Sequence, residues 1–347
     1  MKNKSIDALL ITDPDSIWYL TGIRIEPYER LFALYLESKN EQNTKLFLNK
    51  LFNVGETNLN KIIFTDNDDY LKILSENILQ SGILGVDKNI PAKFLLPLMD
   101  FNKNVEFNLG SESVDLVRGI KDKHEIELMK EASKINDECM TAAISYIKPN
   151  ITEIQLGNYI DSLFAKHNAV PSFETTVCFG KNAADPHHIS DNTMIMKGDL
   201  VLIDMGCKKN NYCSDMTRTV FFQTTPTEMA KIHEIVRKAN ETAENAIKPG
   251  VPLSVIDEVA RNFIREAGYG QFFTHRLGHF IGQTAHEAGE VSKLSKLIAN
   301  EGMIFSIEPG IYIQGKGGVR IEDLVLVTKD GCEVLNKVDK KWHVVGL

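Results

Sequence analysis

The sequence predicts an α/β chain (α+β overall) of two domains, a small N-terminal α/β domain over residues 1–117 and a larger pseudo-two-fold domain over 118–347. Three observations predict it. Short apolar runs alternate with helical patterns up to about residue 115. The composition changes at Val117-Arg118-Gly119-Ile120-Lys121. Beyond that point a helix, helix, strand pattern recurs at an offset of 100–104 residues. The length, 347 residues, suits two domains of ~100–200 residues each.

In the first domain residues 7–12 read as a strand, and residues 14–20 as a short helix with Pro14 in its first turn. Residues 31–36, 45–48, 61–65 and 83–86 are further strands. Residues 69–79 carry apolar side chains at helical spacing. A long helix is expected over residues 123–147, where apolar positions recur every three or four residues. In the repeat, Ile147-Lys148-Pro149-Asn150-Ile151 matches Ile247-Lys248-Pro249-Gly250-Val251. Each proline stops one helix, and Thr152 or Ser254 is placed to cap the next. Lys197-Gly198-Asp199-Leu200-Val201-Leu202-Ile203-Asp204-Met205-Gly206 then aligns with Glu301 to Gly310. Each copy reads as turn, buried strand, carboxylate, turn.

Composition excludes several classes of function. Charged residues make up 25% and hydrophobic residues 43%, a globular balance, and the formal charge of −8 argues against a phosphate-backbone partner. The first eleven residues contain two lysines but too short an apolar run for a secretory signal. No stretch reaches the ~20 apolar residues of a membrane span. The five cysteines (Cys139, Cys178, Cys207, Cys213 and Cys332) form no C-x-x-C pair and fit a reducing compartment. The expectation is a cytoplasmic chain without nucleic-acid or membrane partners.

The repeat carries acidic residues on apolar strands: Asp204 and Asp215 in the first copy, Glu308 and Glu322 in the second. Between them lies His275-Arg276-Leu277-Gly278-His279-Phe280-Ile281-Gly282-Gln283-Thr284-Ala285-His286. A buried ionised carboxylate costs several kcal/mol unless it is paired or holds a cation. One reading pairs the four with Arg218, Arg320 and lysines. The other is a dinuclear metal site, for which four carboxylates and one imidazole are a fitting donor set. That set suits Mn²⁺, Co²⁺ or Zn²⁺ better than a thiolate-seeking metal.

The order Asp204, Asp215, His279, Glu308, Glu322 resembles the five-ligand signature of the pita-bread metallopeptidases, which include methionine aminopeptidase, aminopeptidase P and prolidase. Asn182-Ala-Ala-Asp-Pro-His187, Ile203-Asp-Met-Gly206, Ile307-Glu-Pro-Gly-Ile-Tyr312 and Val319-Arg-Ile-Glu-Asp323 resemble further motifs of the family. Tyr19-Leu-Thr-Gly22 and Glu26-Pro-Tyr-Glu-Arg30 resemble the N-terminal domain of bacterial prolidases, which methionine aminopeptidases lack. The resemblance implies a creatinase/prolidase-type first domain and a pita-bread catalytic domain. It implies two divalent cations, Mn²⁺ first among them, with Asp204 on one, Asp215 and Glu322 bridging, and His279 and Glu308 completing the other.

The implied activity is hydrolysis of the Xaa-Pro bond in dipeptides by a cytoplasmic homodimer. Alternatives are an aminopeptidase P acting on longer peptides, a creatinase-like C–N hydrolase and a non-catalytic peptide-binding module. Glu308 is the implied proton shuttle. His187, His275 and His286 match the non-ligand histidines that stabilise a developing oxyanion, and Arg320 holds Glu322 or binds a substrate carboxylate. Thr217 and Cys213 share the strand face of Asp215, Thr217 to orient it and Cys213 as a packed thiol. His124, His167 and His233 read as structural. The family places Gly after His279, so the bulk of Phe280 predicts a narrowed pocket and altered selectivity among dipeptides.

Overall fold

A computed structural model describes residues 5–347, so residues 1–4 of the N-terminal stretch inspected for a targeting signal lie outside the described residues. The chain divides into two compact units, the first ending at Arg118 and the second spanning Gly119–Leu347.

The first unit is a six-stranded sheet. Its strands are β1 (Ala8–Ile11), β2 (Phe32–Glu37), β3 (Lys45–Asn49), β4 (Asn60–Phe64), β5 (Gly82–Val86) and β6 (Val105–Leu109), in the order β4-β3-β2-β1-β5-β6. β1 pairs antiparallel with β2 and parallel with β5. Alternate residues of β1 enter different cores: Ala8 and Leu10 one, Leu9 and Ile11 the other. Helices cover both faces, which explains why β1 is apolar throughout rather than alternating. α1 (Pro14–Thr21) begins as the sequence predicts, with Asp13 accepting from the Ser16 N–H at 2.9 Å. α2 (Tyr70–Glu76) falls inside the expected 69–79 segment.

The sequence reading missed three elements here: α3 (Ala92–Phe101), β6, and α4 (Glu112–Gly119). α3 carries Pro97 inside it, a residue that normally ends a helix. β6 is an edge strand whose residues from Glu106 to Leu109 are at best half-buried, so no apolar run marks it.

The second unit opens with α5 (Lys123–Tyr146), started by a reciprocal capping box between Asp122 and Glu125. α6 (Glu153–Lys166) has a second box between Thr152 and Gln155. β7 (Val170–Pro171), β8 (Thr176–Phe179), β9 (Leu200–Met205), β10 (Cys207–Lys209), β11 (Tyr212–Cys213) and β12 (Met216–Phe222) complete the first copy. The second copy runs α7 (Thr227–Ala246), α8 (Leu253–Glu266), β13 (Gly278–Phe280), β14 (Glu287–Val291), β15 (Ile304–Ile307), β16 (Gly310–Ile313), β17 (Gly317–Arg320), β18 (Asp323–Val327) and β19 (Cys332–Val334). β20 (Val344–Val345) returns to pair with β12.

Each helix pair fills its own core. α5 and α6 pack with one set of β9 and β12 residues (Val201, Ile203, Val220), whereas α7 and α8 pack with β15 and β18 and with the alternate residues Leu200, Leu202 and Phe221 of β9 and β12. The repeat extends to matching contacts. Thr152 bridges to Met194 and Pro252 to Ile298. Ser254 does not cap α8: Pro252 occupies the cap position, and Ser254 lies inside the first turn. The two copies therefore start their second helices by different chemistry. Replacing Thr152 with Ala should cost about 1 kcal/mol, or roughly 2–4 °C in Tm for a unit of this size. Ser254→Ala should be close to neutral, and thermal unfolding of the two variants tests the difference.

Candidate metal centre

The four carboxylates sit at strand ends. Asp204 is the penultimate residue of β9 and pairs in register with Thr217 of β12, two residues after Asp215. Glu308 follows β15 directly, and Glu322 lies between β17 and β18. A buried asparagine fixes each copy's strand end. Asn136 of α5 donates to the Met205 carbonyl at 2.9 Å, and Asn240 of α7 to the Ile307 carbonyl at 2.8 Å. These neighbours of Asp204 and Glu308 are thus set by the helices behind them.

Asp215, His279 and Glu322 converge, with one donor atom of each within 4.8 Å of the others, and all three are buried. His279 Nε2 stands 3.7 Å from Asp215 Oδ2 and 3.5 Å from Glu308 Oε1. The other ring nitrogen, Nδ1, lies 3.2 Å from the Phe280 carbonyl. A carbonyl only accepts, so Nδ1 carries the proton, and in a neutral ring Nε2 then offers a lone pair. Burial, reinforced by the neighbouring His286, pushes the His279 pKa down to about 3, so the ring is neutral. A lone pair aimed at two carboxyl oxygens is repulsive unless a proton on one of the acids, or a cation, lies among them.

The carboxylates tell the same story. Burial and then the charge of Glu322 hold the Asp215 pKa well above its ordinary value. Burial and the charge of Glu308 do the same for Glu322, and burial takes Glu308 to about 7. Asp204 Oδ1 and Asp215 Oδ1 are buried with no hydrogen-bond partner among the described residues. Orphaned oxygens, hard acidic donors and a neutral imidazole fit divalent cations of the Mn²⁺, Co²⁺ or Zn²⁺ type.

The supporting contacts cross between copies. Thr217 donates from Oγ1 to Glu322 Oε2 at 2.7 Å, so it orients Glu322 rather than Asp215. Arg320 does not bond Glu322; it donates to Asp204 Oδ2, to Tyr312 Oη at 2.9 Å and to Thr217 Oγ1 at 3.1 Å. Burial alone would lower its pKa, but Tyr312, Asp204 and Glu322 outweigh it and keep the guanidinium charged. The arginine-pairing reading therefore holds for Asp204 through one oxygen. Arg218 instead binds Asp323 and backbone carbonyls.

His187, His275, His286, Arg320 and all five expected ligands line one cavity of about 470 Å³, together with Arg276, Glu174 and Ile189. His286 stacks at a tilt on His279, ring centres 4.1 Å apart. His187 is exposed on the loop after β8. His275 is engaged at both nitrogens, by the Arg276 carbonyl at 2.7 Å and by Tyr312 Oη at 3.0 Å. Cys213 is buried, its thiol pushed up to about 12. His233 is buried against the Thr219 carbonyl, in keeping with a structural role.

Phe280 overturns an expectation. Its side chain points away from the cavity into the core, 1% exposed, against Phe305 and over Gly289. A Cβ on Gly289 would come within 2.6 Å of the ring. Strand alternation explains it: in β13, His279 takes the cavity face and Phe280 the opposite one. Gly278, just before, leaves room for the Ser306 carbonyl, which a Cβ would approach to 1.8 Å.

A family model described as metallopeptidase family M24 matches residues 127–329, more than half of the chain. The chain belongs to that family. A model described as the creatinase/prolidase N-terminal domain matches residues 1–120. An uncharacterized peptidase of Staphylococcus aureus (strain USA300) is 37% identical, covering 98% of this chain and 97% of that protein. Among solved structures, a dipeptidase from Pyrococcus horikoshii OT3 has a TM-score of 0.94 at 31% identity, covering 99% of this chain and 97% of the other. A prolidase from Thermococcus sibiricus has a TM-score of 0.91 at 34% identity, covering 99% and 96%. This M24 peptidase is accordingly a metal-dependent hydrolase of peptides with a creatinase-like first domain. No helix among the described residues is long and apolar enough to cross a membrane.

The sequence reading passed over Tyr312 and Ser306 as site residues. The Ser306 hydroxyl accepts from the His279 N–H and donates to Glu308 Oε1, both at 3.0 Å. Two buried acids were also missed. Glu153 at the start of α6 binds the Phe179 N–H (2.6 Å) and His188 Nε2 (2.8 Å). Asp257 of α8 accepts from the Leu277 N–H at 3.2 Å. Glu153 is the first residue of α6, whereas Asp257 lies one turn into α8, so the repeat does not place the two acids at matching positions.

Two outcomes follow for this M24 peptidase. Phe280→Ala should cost about 3–5 kcal/mol of stability and leave the relative kcat/KM across dipeptides unchanged; denaturation and a substrate panel measure both. Metal stabilisation should grow with pH. A carboxyl raised on folding, as Glu308 is from 4.5 to about 7, stabilises the metal-free chain below its ordinary pKa, and that contribution drains as pH rises through 7. The buried histidines act oppositely: His275 and His279, held below their ordinary 6.5, cost stability as pH falls. The Tm gained on adding Mn²⁺ separates the two effects and should be larger at pH 8 than at pH 5.5.

Proposed function

We propose that the chain is an Xaa-Pro dipeptidase with two divalent cations, Mn²⁺ first among them, held by Asp204, Asp215, His279, Glu308 and Glu322. Residues 118–347 form the catalytic domain and residues 1–117 the N-terminal domain of a cytoplasmic homodimer. The observation that carries the reading is the convergence of the neutral His279 Nε2 with the Asp215, Glu308 and Glu322 acids, where Asp204 Oδ1 and Asp215 Oδ1 are buried without a hydrogen-bond partner among the described residues. When bound, such a cation pair supplies Lewis acidity that polarises a carbonyl and lowers the pKa of water toward 7.

The side chains supply the rest. Glu308, anchored at Oε1 by the Ser306 hydroxyl, takes the proton of the attacking water and returns it to the departing nitrogen. That nitrogen belongs to proline, is a tertiary amide and has no hydrogen of its own, so a proton must be delivered to it. His187 and His286 reach the cavity with ring nitrogens to donate to the carbonyl oxygen as it gains charge. His275 acts through Tyr312: its Nδ1–H donates to the Arg276 carbonyl, so Nε2 accepts from the tyrosine hydroxyl. The Tyr312 oxygen in turn accepts from Arg320, which fixes Asp204. The similarity to dipeptidase and prolidase structures across nearly the whole chain supports dipeptides over longer peptides.

The chain freed of metal should not hydrolyse Ala-Pro or Leu-Pro, and titration with Mn²⁺, Co²⁺ or Zn²⁺ should restore activity. Glu308→Ala should lower kcat by about 100- to 10,000-fold. Metal-independent hydrolysis, or cleavage of Ala-Pro-Ala in preference to Ala-Pro, would overturn the reading.

A further inference from the structure

An Xaa-Pro dipeptide differs from every longer substrate in one respect close to the scissile bond: its proline carries a free carboxylate. The cavity is acidic, lined by Asp204, Asp215, Glu308, Glu322 and Glu174, so this anion needs a fixed cation. Among the described residues that line the cavity, two side chains are permanent cations, Arg276 and Arg320. Arg320 is buried with all three of its nitrogens committed, to Thr217, Tyr312 and Asp204. It cannot turn to a substrate without releasing Asp204.

Arg276 differs in every respect. Its backbone is held firmly: its carbonyl accepts from His275 Nδ1 at 2.7 Å, and the next residue, Leu277, donates its N–H to the buried Asp257. Its side chain is held loosely. The side chain is 38% exposed, and its guanidinium meets a single carboxylate, Glu290, through one nitrogen at 3.5 Å, short of a two-point contact. Glu290 is itself 41% exposed and steadied by a 2.7 Å hydrogen bond from the Ser292 hydroxyl. Arg276 lines the same cavity as His279, His286 and Glu308. A planar fork on a rigid base, with one weak partner, is suited to gripping a carboxylate at two points.

We propose that Arg276 is the specificity-determining anchor for the free carboxylate of the dipeptide's proline, with Glu290 as the partner that it gives up on binding. The assignment rests on the dipeptidase reading and deepens it. Selection against longer peptides then lies in one side chain, since an amide in place of the carboxylate offers the guanidinium no charge.

The test compares Ala-Pro with Ala-Pro-amide, which keeps the bond and loses the charge, on the metal-loaded enzyme. Arg276→Ala should raise KM for Ala-Pro about 10- to 100-fold, as expected for a charge-assisted contact, with kcat retained and the amide unaffected. Arg276→Lys should recover part of the loss, and Glu290→Gln should lower KM for Ala-Pro by removing the competitor. Equal losses on both substrates, or no change on either, would overturn the assignment. Calorimetric binding of L-proline against L-prolinamide reads the same preference without turnover. If the enzyme cleaves no Xaa-Pro substrate, the dipeptidase reading fails; an Arg276-dependent preference for L-proline would still support the carboxylate anchor, and its absence would overturn it.

Discussion

The structure depends on one electrostatic conflict: a neutral imidazole and several carboxylates are forced into the same buried space. Folding removes Asp215, Glu322 and His279 from water, and each then resists its charged form. Ordinary proteins resolve such a conflict with paired cations of their own. Here one arginine serves Asp204, while another, Arg218, is spent on Asp323 and backbone carbonyls. The oxygens left over share one feature, that only a small ion of high charge would satisfy several of them at once. The pKa shifts of the side chains and the affinity for divalent cations are therefore two aspects of one arrangement.

Much of this was legible in the sequence, for a physical reason. A carboxylate on an apolar strand is costly, and the cost is visible wherever strand and acid are adjacent, as at Ile203-Asp204 and Ile307-Glu308. The duplication made the signal louder by repeating it. Side-chain partners were much less legible. Thr217 was expected to serve Asp215 because it shares that strand face, yet its hydroxyl reaches Glu322 across the repeat. Arg320 is expected either to hold Glu322 or to bind a substrate carboxylate, and its guanidinium bonds Asp204, Tyr312 and Thr217. Phe280 was expected in the pocket, and the alternation of β13 puts it in the core. For Thr217 the missing information was which residue of the other copy lies opposite; for Phe280 it was which face of β13 the residue takes. In the first unit, α3 escaped notice because Pro97 sits within it, and β6 because an exposed edge needs few apolar residues.

The supports of the site explain why its two copies cannot work apart. Glu322, from the second copy, is held by Thr217 of the first, and its N–H bonds the Thr217 carbonyl at 3.1 Å. Asp204, from the first copy, is held by Arg320 of the second. Arg218 of the first reaches the Glu322 carbonyl at 2.7 Å, and Thr219 donates to the Arg320 carbonyl at 3.0 Å. Each copy thus supplies acids to the centre and the braces for the other copy's acids. A single copy would bury its carboxylates without their hydrogen bonds, at a cost of about 1–3 kcal/mol for each unsatisfied group, more where it is charged. The duplication is accordingly stable only as a pair. In the groove between its halves the acids of both, their braces and a substrate-sized cavity coincide. That geometry also separates two tasks. The crossed braces fix the acids and leave no freedom in Arg320, so recognition of a substrate's charge falls to side chains at the cavity wall that no brace requires.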